Sequence, residues 1–481
     1  MLAVGERRQR AALLTVVIGQ FAVQLATMPI SAILPTLADH FGVDFSLISW
    51  VPSAYLLALT GFILVAGRLG DLYGHRRVYA TGLALYALAG GAGGLAPTAA
   101  VLIGLRAVQG LGGALMLGNG LAILANAFPG GARGRAVGIA QVAASLGGIV
   151  GVAYGLLFLD TLSWHWLFWV LWPLGALGLW CARDLDDARP AGPARPDLAG
   201  AVLLFLTLTV GSLSLSHLHG GEASFQADVT YHLTMQTLAL VLLGAFVLVE
   251  RRQAQPLLRF ADLHVRDFNA LAISNLLMHM TMMASIFTTP FLIERAFGLP
   301  KPFTSAMLLA LQITWVIMAY VSGWLYDRLR ARWLVPVGMT LIAVGLLGMG
   351  LLASHGYGAL VASALVLGVG TGLYMTANNT LAVSLLPATK RGLASGILET
   401  TRQLGHTLGV AIPVALMGPA VSAAASGSAG LGFLQGFQTV SLAMAALCTV
   451  GVALSLLPVL GSGPPAERRT SAPAPVAGGE R

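Results

Sequence analysis

Apolar stretches of about twenty residues recur from one end of this 481-residue chain to the other. Each stretch is long enough to cross the hydrocarbon core of a bilayer as a helix, which satisfies its own backbone hydrogen bonds. Only 10% of the residues are charged, against roughly 25% in a soluble protein. The pattern predicts an all-α integral membrane protein with fourteen transmembrane helices, near residues 11–35, 48–66, 78–96, 99–123, 136–159, 166–182, 198–216, 233–249, 268–293, 304–325, 333–353, 358–384, 392–418 and 433–458.

The net charge of +8 comes from basic residues that fall on one side of the predicted membrane. With fourteen spans and a cytoplasmic N-terminus, 23 of the 27 Lys and Arg residues lie in cytoplasmic segments. Arg295 and Lys301 lie outside, and Arg106 and Arg402 lie within spans. This is the positive-inside distribution, so the basic residues orient the chain and attract anionic lipid. We expect a multi-pass protein of the cell (inner) membrane with both termini cytoplasmic, a lipid bilayer as partner and no nucleic acid.

An internal repeat divides the chain into two parts of similar plan. GRLGDLYGHRR at 67–77 follows the second span, and GWLYDRLRAR at 323–332 follows the tenth. Both segments place Gly, Leu and Asp at the same offsets, before a cluster of arginines. Such repeats are typical of secondary transporters, in which the substrate path lies between the parts. The expected domains are a six-helix bundle (1–182), a linker with two extra central helices (183–265), a second six-helix bundle (266–460) and a disordered cytoplasmic tail (461–481).

Several segments together resemble the major facilitator superfamily, in its fourteen-helix drug:proton antiporter branch. They are the repeat at 67–77, LIGLRAVQGLGGA at 102–114, WHWLFWVLWPLG at 164–175 and TRQLGHTLGVA at 401–411. The resemblance implies transport by alternating access, with the loop after the second span latching one of two states. Residues of this conformational gate would be Gly67, Asp71, Gly74, Arg76, Arg77 and Asp327. A solvated loop whose arginines only set the topology is the alternative.

The chain also departs from the family pattern in places that bear on the substrate. An aspartate and an asparagine of the family's first span are replaced by Ala26 and Ser31. In the fifth span, GGIVGVAYGLL at 147–157 keeps glycines at four-residue spacing, but Val152 stands where the antiporter signature has proline. The remaining glycines allow close helix packing and support the fold more than export. These changes indicate a divergent member.

Charged residues within spans are the candidates for proton coupling. Glu399, Arg402 and His406 follow one another at i, i+3 and i+7, so one helical face carries all three. Arg106 lies in the middle of the fourth span. A charge at the bilayer centre is costly and by default functional, and a buried carboxylate beside a cation can load and release a proton. The alternatives are a structural salt bridge and an arginine bonded to backbone carbonyls.

The resemblance also implies which polar residues line a central cavity, because the family's first, fourth, ninth and twelfth spans surround it. The candidates are Gln20, Gln24, Gln109, Asn119, Asn275, His279, Tyr374, Asn378 and Asn379. His279 lies in a methionine-rich span suited to varied apolar ligands, and a hydrogen-bonded core histidine is the alternative reading. Histidines at 217–232 fit no metal pattern, so we expect no metal and no cofactor.

The sequence therefore predicts a secondary transporter that exports lipophilic or amphipathic compounds by proton-coupled alternating access. Its partners would be a small-molecule substrate and protons, and it would work as a monomer. A transporter or facilitator of an anionic or lipid-like solute, without drug:proton antiport, is the alternative. No nucleophile–base pair, HExxH motif or phosphate-binding loop is present in the sequence, so an enzyme is not expected.

Overall fold

The computed structural model describes residues 2–128, 132–157, 163–185, 198–215, 229–253, 265–329, 331–386, 391–423 and 429–460. These ranges are almost entirely helical and contain no strand. In chain order the α-helices are α1 (Leu2–Phe41), α2 (Phe45–Ile48), α3 (Trp50–Tyr73), α4 (His75–Gly93), α5 (Ala99–Ala127), α6 (Ala132–Leu157), α7 (Trp166–Trp169), α8 (Leu171–Ala182), α9 (Leu198–Leu215), α10 (Val229–Arg252), α11 (Arg266–Phe291), α12 (Lys301–Leu329), α13 (Leu334–Leu352), α14 (Tyr357–Leu385), α15 (Arg391–Ala423) and α16 (Ala429–Leu460). A π-helical turn, Leu292–Ala296, continues α11.

Ten helices of the described residues are long and apolar enough to cross a membrane. Two shorter apolar helices, Trp166–Ala182 and Val202–Gly211, overlap the predicted sixth and seventh spans. The predicted third and thirteenth spans fall on α4 and α15, which are not among the ten. Both helices carry charged residues, Arg76 and Arg77 in α4 and Glu399 and Arg402 in α15, which lower their apolar character. The all-helical membrane fold is thus confirmed, and ten spans stand against the fourteen expected.

The helices pack in two groups that meet along a seam. In the first group, α1 packs on α6 and α8, while α5 packs on α3 and α4. In the second group, α11 packs on α15 and α16, while α14 packs on α12 and α13. The seam joins α3 to α15 and α6 to α12, with α1 beside α11. Helices α9 and α10 pair with each other, and α9 covers the seam at α3 and α15.

Glycines bring helix backbones into direct contact within each group. A methyl group on Gly112 of α5 would lie 2.5 Å from the backbone nitrogen of Tyr86 in α4. In the second group, a methyl group on Gly338 of α13 would lie 2.6 Å from the backbone nitrogen of Tyr374. In lipid, the hydrophobic effect does not drive helices together, so their association depends on such close packing. These contacts fix the register of the helices that carry the candidate site.

The seam is closed at the membrane face where α2 lies, opposite the basic loop between α3 and α4. Phe45 of α2 packs edge-on against Phe291 with ring centroids 4.8 Å apart, and Phe433 stacks on Phe291 at 5.9 Å. Beside this cluster, Arg295 forms an ion pair with Asp39 of the first group. Aromatic and charged contacts of both groups therefore seal this face, and the candidate site lies on its inner side.

Candidate functional site

A polar cavity lies at the seam, among α1, α3, α5, α6 and α15, and measures about 400 Å³ together with the open space at its mouth. Four residues predicted from sequence line it: Gln20, Gln24, Arg402 and His406. Four further polar side chains that the sequence analysis did not single out also line it: Thr27, Tyr55, Gln141 and Gln403. The rest of the wall is apolar and consists of Val23, Leu56, Leu59, Leu117 and Ala144. Amides, hydroxyls and one guanidinium thus face a common space between the two helix groups.

Glu399 and Arg402 form an ion pair on α15, as their spacing predicted. An Nη atom of Arg402 donates to Glu399 Oε1 at 2.5 Å, and the amide of Gln403 donates to the same oxygen at 2.8 Å. The two charged side chains are 28% and 22% exposed, so the pair is half-buried at the cavity wall. Arg402 Nε is buried and has no hydrogen-bond partner among the described residues. The guanidinium therefore keeps one donor for another acceptor.

His406 extends the same face of α15 and contacts α11. Its Nε2 lies 3.2 Å from Nδ1 of His279, so one imidazole donates to the other, and both side chains are buried. One turn earlier on α11, the amide of Asn275 donates to the Leu398 carbonyl and to Thr401 Oγ1. Asn275 and His279 thus hold α11 against α15. Of these two residues, His279 contacts the cavity wall through His406.

Arg106 is fully buried and is satisfied inside the first helix group. Its Nε donates to the Val51 carbonyl at 3.2 Å, and one Nη donates to Ala26 O at 3.3 Å and to Gln109 Oε1 at 2.6 Å. The guanidinium also lies 4.3 Å from the centroid of the Tyr55 ring, in cation–π geometry. Because Tyr55 lines the cavity, Arg106 supports the wall from behind.

The remaining predicted cavity residues lie outside the lining of this cavity. Asn119 joins α5 to the gate loop, since its amide donates to Ala66 O at 2.8 Å and its Oδ1 lies 2.7 Å from His75 Nδ1. Tyr374 is buried and donates to Ser274 Oγ at 2.8 Å. Asn378 is buried with both amide atoms unpaired among the described residues, and Asn379 is half-buried. Asn119 and Tyr374 thus bond to neighbouring helices of their own group.

Five of the six residues predicted to form the gate lie at or near the turn between α3 and α4. Gly74 has a φ of 92°, which favours glycine, and it is the N-cap of α4. Asp71 lies in the last turn of α3, with its carboxylate 3.5 Å from His75 Nε2. Arg76 donates to the Arg183 carbonyl at 2.7 Å and so ties the turn to the end of α8. Gly67 packs against Gly118 of α5, while the side chain of Asp327 on α12 lies outside the described part of the chain.

A contact in the middle of the seam was not predicted. Thr60 of α3 and Thr407 of α15 lie with their hydroxyl oxygens 3.0 Å apart, and both side chains are buried. Thr407 follows His406 in sequence, so the helix that carries the ion pair also bonds across the seam. Threonine in an apolar span gives no sequence signal of its partner. Among the described residues, no group of three or more His, Cys, Asp or Glu is placed to hold a metal ion.

Known proteins of similar sequence include drug-resistance and export proteins. The chain is 32% identical over 414 residues to the multidrug resistance protein Stp of Mycobacterium tuberculosis (strain CDC 1551 / Oshkosh), covering 84% of this chain and 75% of the relative. It is 32% identical over 415 residues to the cephamycin export protein CmcT of Amycolatopsis lactamdurans, covering 84% of each. These relatives also confirm that the chain is a transporter-type protein and not an enzyme.

A solved structure and a family model agree with that relationship. A bacterial homologue of the human lysosomal transporter Spinster, in an inward-facing and unoccupied conformation, superposes with a TM-score of 0.65 at 13% identity, covering 94% of this chain and 96% of the other. The family model of the Major Facilitator Superfamily matches residues 16–410 and 271–478. The chain, a multi-pass integral membrane protein, therefore belongs to the Major Facilitator Superfamily.

Proposed function

We propose that this protein is a secondary active transporter that exports lipophilic or amphipathic compounds in exchange for protons, by alternating access. The observation that carries the proposal is the Glu399 carboxylate, which is half-buried and bonded to two residues of the cavity wall, Arg402 and Gln403. Intramembrane ionisable groups of this kind mark proton and substrate paths. The 32% identity to a multidrug resistance protein and a cephamycin export protein supports export.

The proposal includes fourteen spans with both termini cytoplasmic, in the cell (inner) membrane, and a monomer as the working unit. Besides the ten long apolar helices, α4, α8 and α15 pack within the two groups, and α9 lies against the seam. With these four added, the basic segments fall on one side. The six-helix bundles would then be 1–182 and 266–460, with 183–265 between them. The proposed tail at 461–481 lies outside the described residues.

Protonation of Glu399 would change the charge of the cavity wall by one unit. While Glu399 is ionised, its carboxylate neutralises Arg402 at 2.5 Å. Once Glu399 is protonated, the guanidinium loses its counter-charge in an environment of low dielectric, where charges interact strongly. Proton binding and substrate binding thus act on the same guanidinium. A compound that binds only while this ion pair is intact would compete with the proton, which is the linkage that antiport requires.

A second candidate function is transport of an anionic or lipid-like solute without drug:proton antiport. It is favoured by the unpaired Nε of Arg402 and by the lack of any carboxylate among the described residues that line the cavity. An anion would bind more tightly when Glu399 is protonated, so its coupling to protons would have the opposite sign.

The test is efflux of two dyes from cells that express the chain, one cationic (ethidium) and one neutral (Nile red), with and without a protonophore. We expect export by the wild type that collapses with the protonophore and with Glu399→Gln, since glutamine keeps the shape but cannot exchange a proton. The matched control is Glu6→Gln, an exposed carboxylate near the N-terminus, which should export normally.

Three results would decide against the proposal or part of it. No export of either dye, despite normal amounts of protein in the membrane, would exclude the multidrug function. Export that persists in Glu399→Gln and still responds to the protonophore would show that another residue carries the proton. Export that ignores the protonophore would exclude coupling of dye export to protons.

A further inference from the structure

A second cavity, which is apolar and measures about 390 Å³ together with the open space at its mouth, lies at the other half of the seam. Its wall comes from both helix groups: Val152 of α6 faces Met282 and Ile286 of α11, Trp315 of α12 and Leu367 of α14. Trp315 is half-buried, and the other four side chains are buried. Because both groups contribute, the space opens or closes when the groups move relative to each other.

One face of α6 connects the two cavities. Gln141 and Ala144 line the polar cavity, and Val152 lines the apolar one. Gly148 lies between them, and spacings of three, four and four residues keep all four on one side of the helix. At a rise of 1.5 Å per residue, Ala144 and Val152 are about 12 Å apart along the helix. Helix α11 repeats the arrangement, since His279 contacts the wall of the polar cavity and Met282 lines the apolar one.

The boundary between the cavities is formed by a side chain over a glycine. The amide of Gln312 in α12 lies against Gly148, where a methyl group would stand 2.2 Å from its Nε2. Gln312 also lines the apolar cavity. The amide side chain of Gln312 thus packs on α6 between Ala144, which lines the polar cavity, and Val152, which lines the apolar one.

The charges at the polar end favour an uncharged molecule. Glu399 already neutralises Arg402, so an added anion or cation would leave one unpaired charge in the membrane interior, at a high cost. Arg402 Nε remains a buried donor without a partner among the described residues. A carbonyl oxygen satisfies this donor and leaves the ion pair intact.

We propose that displacement of Gln312 joins the two cavities into one site for an uncharged amphipathic molecule, with a carbonyl-type acceptor at Arg402 and an apolar or aromatic body against Val152 and Trp315. The proposal rests on the proposed transport function and names the substrate class. It also assigns a role to Val152, which stands where the antiporter pattern has proline.

The test measures binding to the purified full-length chain in lipid nanodiscs, with empty nanodiscs as background. The probes are dansyl-labelled ω-amino chains that end in a primary amide, a carboxylate or an amine, each with short and long spacers. We expect the amide series to bind most tightly, with affinity that rises with spacer length until the dansyl group reaches the apolar cavity.

Val152→Trp fills the apolar cavity and so tests the contribution of the apolar end to binding apart from that of the polar end. Loss of burial of about two methylene groups corresponds to about tenfold weaker binding. The affinity of the long-spacer amide probe should therefore fall by at least this factor. The short amide should bind as in the wild type. The control is Val150→Trp on the same helix, since Val150 is 48% exposed on the other side of α6. Val152→Phe replaces Val152→Trp if the larger side chain lowers the thermal stability.

Each contrary result contradicts one stated part of the proposed site. Equal effects of the Val152 and Val150 variants, or affinity without dependence on spacer length, would remove the apolar subsite. Tighter binding of the acid or the amine would overturn the uncharged class, and no binding of any probe would overturn the site as a whole. Because binding is measured without a gradient, failure of proton-coupled export in cells would not be mistaken for any of these results.

Discussion

At the scale of single residues, local pairs could be predicted from the sequence and long-range partners could not. The i, i+3 spacing of Glu399 and Arg402 fixes their ion pair within one helix turn. The partner of His406 is His279, which is 127 positions away, so it depends on the register between α11 and α15. For Arg106, the sequence left open whether its partners are functional or backbone groups. The carbonyl of Ala26 accepts its hydrogen bond at the position where the family pattern has an aspartate.

Arg106 is expected to stabilise the first helix group more than it takes part in transport. Arg106→Lys keeps the charge but cannot reach Val51, Ala26 and Gln109 at once, and each charged hydrogen bond contributes about 1.5–3 kcal/mol. We expect a clearly lower thermal midpoint of the purified protein. The control is Arg7→Lys, whose ion pair with Asp184 is exposed and contributes about 0–1 kcal/mol. An unchanged midpoint with loss of dye export would instead assign Arg106 to substrate or proton binding.

At the scale of helices, apolar length predicted most of the spans, and the exceptions are informative. Helix α15 is not among the long apolar spans because its polar face carries the ion pair and lines the cavity. Hydropathy thus loses sensitivity where the candidate site lies. The polar side chains of α14 lie outside the lining of the polar cavity. Tyr374 is used for packing against Ser274, and the sequence does not reveal which face of an apolar helix meets a neighbour.

Close packing of α4 on α5 yields a matched pair of glycine substitutions on one helix. Gly112→Ala would place a methyl group 2.5 Å from the backbone of Tyr86, whereas the corresponding atom on Gly104 meets nothing within 4 Å. Overpacking against backbone costs about 1–3 kcal/mol, so Gly112→Ala should lower the thermal midpoint. Gly104→Ala should leave it unchanged or raise it, since alanine favours a helix by about 0.8–1 kcal/mol. Equal midpoints for both variants would contradict the close approach of the two helices.

At the scale of the whole molecule, the two helix groups meet through unlike contacts at different depths. Aromatic rings and the Asp39–Arg295 ion pair close one face, while the polar cavity lies among five helices further along the seam. The internal repeat predicted that the path lies between two parts of similar plan. It could not predict which face is closed, because a sequence is compatible with every state of a transport cycle. The residues that seal the face lie in α2 and in the π-helical turn, which carry no repeat signal.

The most direct test of the central claim is proton flux through the purified protein in liposomes that hold a pH-sensitive dye, with the membrane potential clamped to zero. Addition of ethidium or Nile red to one side should move protons in the opposite direction across liposomes with the wild-type chain. Liposomes with Glu399→Gln should show no such flux, while those with Glu6→Gln should match the wild type. Substrate movement without proton flux in the wild type, or equal flux in Glu399→Gln, would contradict the assignment of Glu399 as the proton carrier.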